Sequence, residues 1–493
     1  MKKTVALFAM LAGSLTTSAC ATSNPSVSVV ESAKRTAETP ITFKANSGEE
    51  VAAFEGAFTV PENRADPDSR TLTLKYVRFP ATGNASGSPI VYLAGGPGGS
   101  GIGTAKRQRF PLFMAMRAFG DVIAFDQRGT GASNDAPRCV SSIVLDDAAN
   151  TPDAAYIASQ KNALKECLGF WKAKGIDVRG YTTPQSVADL DALRRHLKAE
   201  KISLWGISYG SHLSLAALKS IDDHIDRVVI ASAEGLDQTV KLPARTDAYF
   251  ARLQDAINTQ PGAKAMFSDI NGLMHYVHQQ LEAKPLLLNV PQRDGTTSPF
   301  LFQRRDMQLI ASAMISDPQN AAMLIQLYGA MAAGITEPVA GLMSRFYTPN
   351  EPISFGMMSV MMDVASGTSD TRRHLIEEQA KTSLLAGFLN QPVAFEDIDP
   401  SLVLSENFRK APVSDTPVLL LSGTLDGRTY LESQKEAIAG LRNRQIVTVK
   451  NAGHNLFMSS PEVTEVIEQF MRGETVGKKT IEIELPDFSA IPR

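Results

Sequence analysis

Cysteine, tryptophan and histidine are scarce in this chain, and neither sign of charge dominates. The 493 residues include three cysteines, two tryptophans and seven histidines, and 49 basic against 52 acidic side chains give a formal net charge of −3. A chain with so small an imbalance lacks the basic surface of a nucleic-acid-binding protein and has no acidic tail. No group of residues has the spacing of a metal site, and no internal repeat is visible. We therefore expect no nucleic-acid partner, no metal and no organic cofactor.

Long apolar runs are also missing, except at the N-terminus. Two lysines precede an apolar stretch over residues 4–15, and small residues follow it, which is typical of a bacterial secretory signal over residues 1–21. The stretch is too short for a stable membrane span. Residues 19–21 (Ala-Cys-Ala) fit the rule for ordinary signal cleavage. Residues 17–20 (Thr-Ser-Ala-Cys) also resemble a lipobox, with threonine where leucine is usual.

Both processing routes predict an exported protein, in the periplasm or anchored to a membrane of a bacterial envelope. The lipobox route would leave a lipidated Cys20 as a membrane tether. Once Cys20 is assigned to the signal, Cys139 and Cys167 remain as an even pair. In an oxidising compartment such a pair favours a disulfide, and two buried free thiols are the alternative.

Strand-like and helix-like segments alternate along the first half of the chain. Residues 22–50, rich in Ser, Thr, Ala and Glu, are expected to form a flexible tether. A helical pattern of apolar residues covers 187–200. The predicted strands are 72–79, 89–93, 121–125, 202–205 and 227–231, and later 417–421 and 445–449. This alternation favours an α/β fold with a mostly parallel, doubly wound sheet.

The alternation stops after about residue 236, and the pattern is then largely helical and rich in methionine. A helical block between two groups of sheet strands indicates a helical cap over 237–400. The cap would be inserted into an α/β core formed by residues 51–236 and 401–493. Its methionines could shape an adaptable apolar pocket, or could be ordinary filling of a helical core.

Residues 202–210 read Ile-Ser-Leu-Trp-Gly-Ile-Ser-Tyr-Gly, an apolar strand that runs into Gly-x-Ser-x-Gly. This pattern is typical of a nucleophile elbow, a sharp strand-to-helix turn that holds Ser208 in a strained conformation with its hydroxyl exposed. Gly206 and Gly210 are needed because strand and helix nearly touch there. The motif alone is weakly specific, so its assignment depends on partners elsewhere in the chain.

A serine hydroxyl needs a base to take its proton, and the base needs an acid to fix its tautomer. Of the seven histidines, only His454 lies in a loop just after a predicted strand. Asp426 stands just past another buried strand. We therefore predict Ser208 as nucleophile, Asp426 as acid and His454 as base. The alternatives are a turn-forming aspartate before a glycine and a structural loop histidine. Asp363 and Asp399 could compete as the acid, but neither follows a predicted strand.

The negative oxygen of the tetrahedral intermediate needs preorganised N–H donors. One is expected from the backbone of Tyr209, the residue after the nucleophile. The other is expected from the glycine-rich loop after an early strand, with Gly96 as the donor and Gly95 as the alternative. Pro97 has no N–H to donate. A phosphate-binding loop would need a following Lys-[Ser/Thr], which this loop lacks.

Five motifs in this order resemble the secreted α/β-hydrolases of the proline iminopeptidase and tripeptidyl aminopeptidase group. They are Gly-Gly-Pro-Gly (95–98), Asp-Gln-Arg-Gly-Thr-Gly-Ala-Ser (126–133), Gly-Ile-Ser-Tyr-Gly (206–210), Ser-Gly-Thr-Leu-Asp-Gly-Arg-Thr (422–429) and Asn-Ala-Gly-His (451–454). The resemblance spans about residues 55–475 and implies the α/β-hydrolase fold. The placement of Cys139 and Cys167 is also similar to that group, which supports the disulfide. Asp126 and Arg128 are expected to brace the loop under the active site.

The resemblance implies hydrolysis of peptide bonds near a substrate N-terminus, with acidic cap residues receiving the free amine. Asp363 lies where tripeptidyl aminopeptidase-like proteins often carry such an acid, and a solvated or helix-capping aspartate is the alternative. Proline iminopeptidases usually have histidine before Gly-Gly-Pro-Gly, where this chain has Ala94. The sequence thus predicts an exported serine aminopeptidase acting on short peptides. A carboxylesterase acting on small esters with the same triad, and a non-catalytic binding protein on a retained scaffold, are the alternatives.

Overall fold

The computed structural model describes residues 38–390 and 395–490. The predicted signal over 1–21, the lipidation site Cys20 and most of the predicted tether lie outside these residues. Across the two described ranges, no helix is both long and apolar enough to cross a membrane.

Most of the strands in the described ranges belong to one large central sheet. The strands are β1 (Thr39–Lys44), β2 (Glu50–Pro61), β3 (Thr71–Phe79), β4 (Gly87–Leu93), β5 (Gly120–Phe125), β6 (Cys139–Val140), β7 (Ile202–Ser208), β8 (Ile225–Ala233), β9 (Leu286–Pro291), β10 (Thr297–Phe302), β11 (Ser354–Phe355), β12 (Val418–Gly423), β13 (Arg444–Lys450) and β14 (Thr480–Glu482). Ten of them form the central sheet, in the order β1-β2-β3-β5-β4-β7-β8-β12-β13-β14. The pairs from β1 to β5 are antiparallel, and every pair from β5 to β14 is parallel. The predicted mostly parallel sheet is confirmed.

Helices follow most of the strands and cover the sheet. They are α1 (Gly101–Ala105), α2 (Phe110–Met116), α3 (Asp153–Ala173), α4 (Thr183–His196), α5 (Tyr209–Ser220), α6 (Pro243–Asn258), α7 (Pro261–Met266), α8 (Ile270–Ala283), α9 (Arg304–Met314), α10 (Pro318–Ala332), α11 (Glu337–Met343), α12 (Met357–Ser366), α13 (Asp370–Ala380), α14 (Glu406–Arg409), α15 (Leu431–Ala437) and α16 (Pro461–Met471).

Both faces of the sheet are buried, which explains why its central strands read as continuous apolar runs. Successive residues of a strand point to opposite faces. In β7, Leu204 packs with Val91 in one apolar cluster, and Trp205 packs with Tyr92 in the cluster on the other face. The period of two therefore assigns alternate residues of one strand to two separate cores.

The chain between β8 and β12 forms the cap, which consists of helices α6 to α13 and an antiparallel hairpin of β9 and β10. Its own apolar cluster contains Tyr249, Phe250 and the buried methionines Met307 and Met331. These methionines are core filling, as one of the two sequence interpretations held. The hairpin was not predicted, because its strands interrupt a segment whose pattern is otherwise helical.

Two sequence predictions differ from the structure at their boundaries. The tether predicted over 22–50 is wrong from residue 38 onward, because β1 pairs with β2 and buries Phe43. The helix predicted over 187–200 begins earlier, at Thr183, and ends at His196. Lys198 then has a φ of 55°, which ends the helical conformation.

The predicted disulfide joins Cys139 in β6 to Cys167 in α3, 28 residues later. Both cysteines are buried. The strand β6 pairs with β11, which immediately precedes the cap helix α12. The disulfide therefore holds β6 against α3, and β6 in turn pairs with the cap strand β11.

Removing this disulfide should lower the free energy of unfolding by about 3 kcal/mol, since the crosslink restricts a loop of this length in the unfolded chain. We expect the double variant Cys139→Ala/Cys167→Ala to unfold at lower urea concentration than the parent protein. Reductant should shift the parent protein in the same direction and leave the double variant unchanged. Equal stability of the parent and the double variant in the absence of reductant would contradict the prediction.

Candidate active site

Ser208 ends β7 and immediately precedes α5, at the carboxyl edge of the sheet. Its φ of 56° and ψ of −126° are unusual for a residue with a side chain. A Cβ at Gly206 would lie 2.5 Å from the carbonyl oxygen of Gly210, and a Cβ at Gly210 would lie 2.1 Å from that of Leu93. The close packing of α5 on β4 and β7 therefore imposes the strained turn, as the elbow motif predicted.

The predicted acid and base come from neighbouring parallel strands and meet at the same edge. Asp426 is the third residue after β12, and His454 is the fourth residue after β13. The Nδ1 of His454 lies 3.1 Å from both carboxylate oxygens of Asp426. The Asp426 side chain is fully buried, whereas that of His454 is 21% exposed. The arrangement leaves the imidazole accessible while the carboxylate orients it.

Asp426 is surrounded by hydrogen-bond donors. The backbone N–H groups of Arg428 and Thr429 donate to Oδ1 at 2.8 and 2.9 Å. The Thr429 hydroxyl donates to Oδ2 at 2.7 Å, and the Gln434 amide at 3.3 Å. Burial alone would raise the pKa of Asp426, but His454 and these donors together hold it below its ordinary value. Asp426 is therefore ionised and can hold the proton on Nδ1 of His454.

Hydrogen bonds to both main-chain polar groups of His454 fix the position of its loop. The Ser232 hydroxyl, in β8, donates to the His454 carbonyl oxygen at 2.7 Å. The following residue, Ala233, pairs in register with Ser208 in β7. From the cap, the Ser316 carbonyl oxygen accepts the His454 N–H at 2.8 Å. The base is thus tied to the strand beside the nucleophile and to the cap.

The turn between α9 and α10, residues 315–317, contacts the acid loop as well as the base loop; we call it the cap turn. The Ile315 carbonyl oxygen accepts the N–H of Gly427 at 3.1 Å. A Cβ at Gly427 would lie 2.3 Å from that oxygen, and a Cβ at Gly453 would lie 2.6 Å from the Ser316 carbonyl oxygen. Glycine at both positions therefore permits the cap to approach the two catalytic loops.

The glycine-rich loop after β4 runs beside the nucleophile. A Cβ at Gly95 would lie 3.1 Å from the Cβ of Ser208 and 3.7 Å from its Oγ. Gly96 has a φ of 128°, which favours glycine. This is the location that an oxyanion loop requires. The choice of Gly96 over Gly95 as the donor, together with Tyr209, stays a prediction.

Of the two residues expected to brace the loop, Asp126 contacts its end, whereas Arg128 contacts the core. Asp126 accepts hydrogen bonds from the Ser100 hydroxyl at 2.7 Å and the Ile102 N–H at 3.0 Å, at the start of α1. The buried Arg128 guanidinium pairs with Asp189 at 2.6 Å. Asp126 therefore fixes the end of the glycine-rich loop from below, and Arg128 anchors the segment to the core.

Asp363 lies on α12, which covers the glycine-rich loop. Ser359 lies one turn earlier on the same face of this helix. Its hydroxyl oxygen is so close to the loop that a Cβ added at Gly98 would lie 2.6 Å from it. Met362, the residue before Asp363, accepts a hydrogen bond from the Tyr209 hydroxyl at 3.0 Å. Among residues 38–390 and 395–490, the Asp363 carboxylate has no hydrogen-bond or ion-pair partner. Burial and the Glu234 carboxylate raise its pKa to about 7.

Glu234 is a site residue that the sequence analysis missed. It directly follows β8, at the same sheet edge as Ser208, and its buried carboxylate pairs with the Lys241 ammonium. Burial alone would raise the pKa of Glu234, but Lys241 holds it below its ordinary value. A cavity of only about 10 Å³ is lined by Glu234, Lys241 and Thr429, next to the acid of the pair. The feature of the sequence that could have identified Glu234 was the position of an acidic residue immediately after a buried strand.

This sheet edge thus combines a strained serine, an oriented histidine, a buried carboxylate and a glycine-rich loop. Residues 89–461 match the family model of the alpha/beta hydrolase fold. The chain belongs to this family. Among the part of the chain that the structure describes, no cluster of His, Cys, Asp and Glu has the composition of a metal site.

Part of the chain is similar to proteins that are named as peptidases. It is 31% identical over 187 residues to the serine protease Hip1 of Mycobacterium tuberculosis, covering 37% of this chain and 36% of that protein. It is 30% identical over 189 residues to the tripeptidyl aminopeptidase of Streptomyces lividans, covering 36% and 34%. The match to a probable proline iminopeptidase of Leptolyngbya boryana is 30% over 143 residues, covering 29% and 30%. The aligned region spans about a third of the length of these relatives.

Solved structures with a similar fold include a proline iminopeptidase-related protein from Thermus thermophilus. It is 17% identical, with 86% of this chain and 98% of that chain covered and a TM-score of 0.36. The family match and the strand order, rather than this likeness, carry the fold assignment.

Adding a Cβ at Gly453 should displace the cap turn or the base loop, and should slow the reaction of the nucleophile. Because a misplacement of about 1 Å can reduce a rate about 100-fold, we expect Gly453→Ala to lower the rate of labelling by a fluorophosphonate at least tenfold. Gly477→Ala is the matched control, since no atom lies within 4 Å of its added Cβ. Equal labelling rates for the two variants would show that the contact is unimportant.

Proposed function

We propose that the protein is an exported serine aminopeptidase that removes residues or short peptides from the free N-terminus of a peptide substrate. The observation that carries this proposal is the Asp363 carboxylate, which lies on the helix that covers the glycine-rich loop and has no partner among the described residues. The similarity to peptidases over part of the chain supports the same class of substrate. The disulfide supports export, because such bonds persist in oxidising compartments.

In the proposed reaction Ser208 attacks the scissile carbonyl carbon while His454 accepts the hydroxyl proton. Asp426 stabilises the imidazolium that forms. The backbone N–H groups of Tyr209 and of Gly96 stabilise the negative oxygen of the tetrahedral intermediate. Collapse of this intermediate breaks the C–N bond, and His454 gives its proton to the leaving amine. Water, activated by His454, then hydrolyses the acyl-enzyme in the same way.

Asp363 gives the proposed site its preference for a free amine. A half-buried carboxylate without a donor is unfavourable when ionised, which is why its pKa is raised to about 7. A substrate ammonium at this place would favour the ionised form and offset the cost of burial. The negative charge of Glu234 is already paired with the ammonium of Lys241, so Asp363 is the carboxylate left for the substrate. A small neutral ester has no ammonium group that could pair with Asp363.

Replacement of the nucleophile tests the chemistry. We expect Ser208→Ala to lower turnover by a factor on the order of 10⁴ without altering the circular dichroism spectrum or the thermal midpoint. Ser220→Ala is the control, because this serine is exposed at the end of α5. The assay uses N-terminally free prolyl, alanyl and tripeptidyl anilides, their N-blocked counterparts, and short-chain nitrophenyl esters. Near-parent turnover by Ser208→Ala would overturn the assignment.

The preference for free over blocked substrates should depend on pH through Asp363. Below about pH 7 this carboxyl is largely neutral, and above about pH 8 a peptide amine loses its charge. The ratio of kcat/KM for free and blocked anilides should therefore be highest between about pH 7 and 8. We expect Asp363→Asn to lower kcat/KM for free anilides by about tenfold or more and to flatten this ratio.

Dividing by the blocked substrate removes any pH dependence of the chemical step that both substrates share. Asp370→Asn is the matched control, since its side chain is 98% exposed. Cleavage of the esters alone, with neither free nor blocked anilides turned over, would instead identify a carboxylesterase.

A further inference from the structure

The cap contains a second cleft, between the β9–β10 hairpin, α9 and α11. Its volume is about 480 Å³, and it is open to solvent at its mouth. Pockets that bind small molecules commonly measure about 300–1,000 Å³, so this cleft has room for a large amino-acid side chain. Most of its wall is apolar, including Phe300, Leu309, Met314, Met343 and Phe346.

Helix α9 connects this cleft to the candidate catalytic groups. Leu309 and Met314 line the cleft, and the cap turn begins at the next residue. The cap turn accepts hydrogen bonds from the N–H groups of Gly427 and His454. Met314 of the cleft is therefore directly followed in the chain by the turn that contacts the acid and base loops. In a serine hydrolase the base gives its proton to the leaving group, so the leaving portion of the substrate lies on the base's side of the nucleophile.

The wall of the cleft is held in place without a ligand. The Asp147 carboxylate accepts hydrogen bonds from the Tyr347 hydroxyl at 2.8 Å and the Asn350 N–H at 2.9 Å. The rings of Phe300 and Tyr347 meet edge to face, 5.0 Å apart. Beside this fixed wall, Phe346 is 60% exposed at the mouth. An exposed aromatic side chain next to a preformed apolar cleft is typical of a binding site.

The charge of the cleft restricts what it can accept. Its lining residues in the described ranges include the carboxylates of Asp147, Asp306 and Glu351, and no lysine, arginine or histidine. An acidic side chain would meet like charge there, whereas an apolar or basic side chain would not.

We propose that this cleft is the subsite for the leaving portion of the peptide substrate. It takes a large apolar side chain from the residues that follow the scissile bond, and it rejects acidic side chains there. The inference depends on the proposed peptidase function and adds a specificity on the side of the leaving group.

The test compares substrates that share one N-terminal tripeptide and differ in the leaving group after the scissile bond. The leaving groups are an anilide and short peptides carrying Phe, Gly or Asp at the second position after the scissile bond. We expect kcat/KM of the parent protein to be about tenfold higher for Phe than for Gly, and lowest for Asp. A hydrophobic pocket commonly discriminates by about 10- to 200-fold.

Two variants examine the cleft itself. Phe346→Ala should lower the ratio of kcat/KM for the Phe peptide to that for the anilide by about fivefold or more, and Glu351→Lys should remove the rejection of Asp. Both side chains are exposed, so the fold should tolerate the changes. Met266→Ala, also exposed and outside the cleft, is the matched control. It should leave all ratios unchanged.

The outcomes separate this inference from the function on which it rests. Cleavage of the anilide with equal kcat/KM for the Phe, Gly and Asp peptides would overturn the subsite and leave the aminopeptidase intact. Variant ratios equal to those of the parent protein would also overturn it. Failure to cleave any free-amine substrate would overturn the proposed function instead.

Discussion

The carboxyl edge of the parallel sheet depends on one close contact, the approach of α5 to the backbone of β4 and β7. Only glycine at 206 and 210 permits this approach, because an added Cβ at either position would overlap a carbonyl group. The approach forces Ser208 into its strained conformation and aligns the start of α5 with the glycine-rich loop. The neighbouring strands then carry the acid and the base to the same edge. A local steric requirement thus positions groups that are more than two hundred residues apart in the chain.

The site also shows how environment separates carboxyl groups of the same chemistry. Asp426 is fully buried, yet donors on every side and His454 keep it ionised. Glu234 is kept ionised by Lys241. Asp363 has neither kind of support among the described residues, and its pKa is raised to about 7. The carboxyl group without a partner is therefore the one suited to an exchangeable partner, which is the basis of the amine-binding role proposed for it.

The sequence predicted every parallel strand except the short edge strand β14, and it predicted the Asp426–His454 pair. Each of these depends on local patterns: apolar runs, glycine spacing and the position of a polar residue just after a strand. It did not predict β1, since its mixed polar composition resembles a tether and only pairing with β2 makes it a strand. Glu234 and Lys241 were missed because their importance arises from burial against each other, which no local pattern reports. The cap turn was missed for a similar reason, since the carbonyl oxygens of Ile315 and Ser316 that accept these hydrogen bonds leave no mark in the sequence.

This last point has a consequence for how the cap can vary. The hydrogen bonds from the acid and base loops to the cap turn end on main-chain carbonyl oxygens, which every amino acid has. The glycines that receive this contact belong to the core and not to the cap. Side chains elsewhere on the cap can therefore diverge among related proteins, changing what is admitted to the site, while the geometry of the proton-transfer groups stays fixed. Such a division lets selectivity evolve separately from chemistry within one chain.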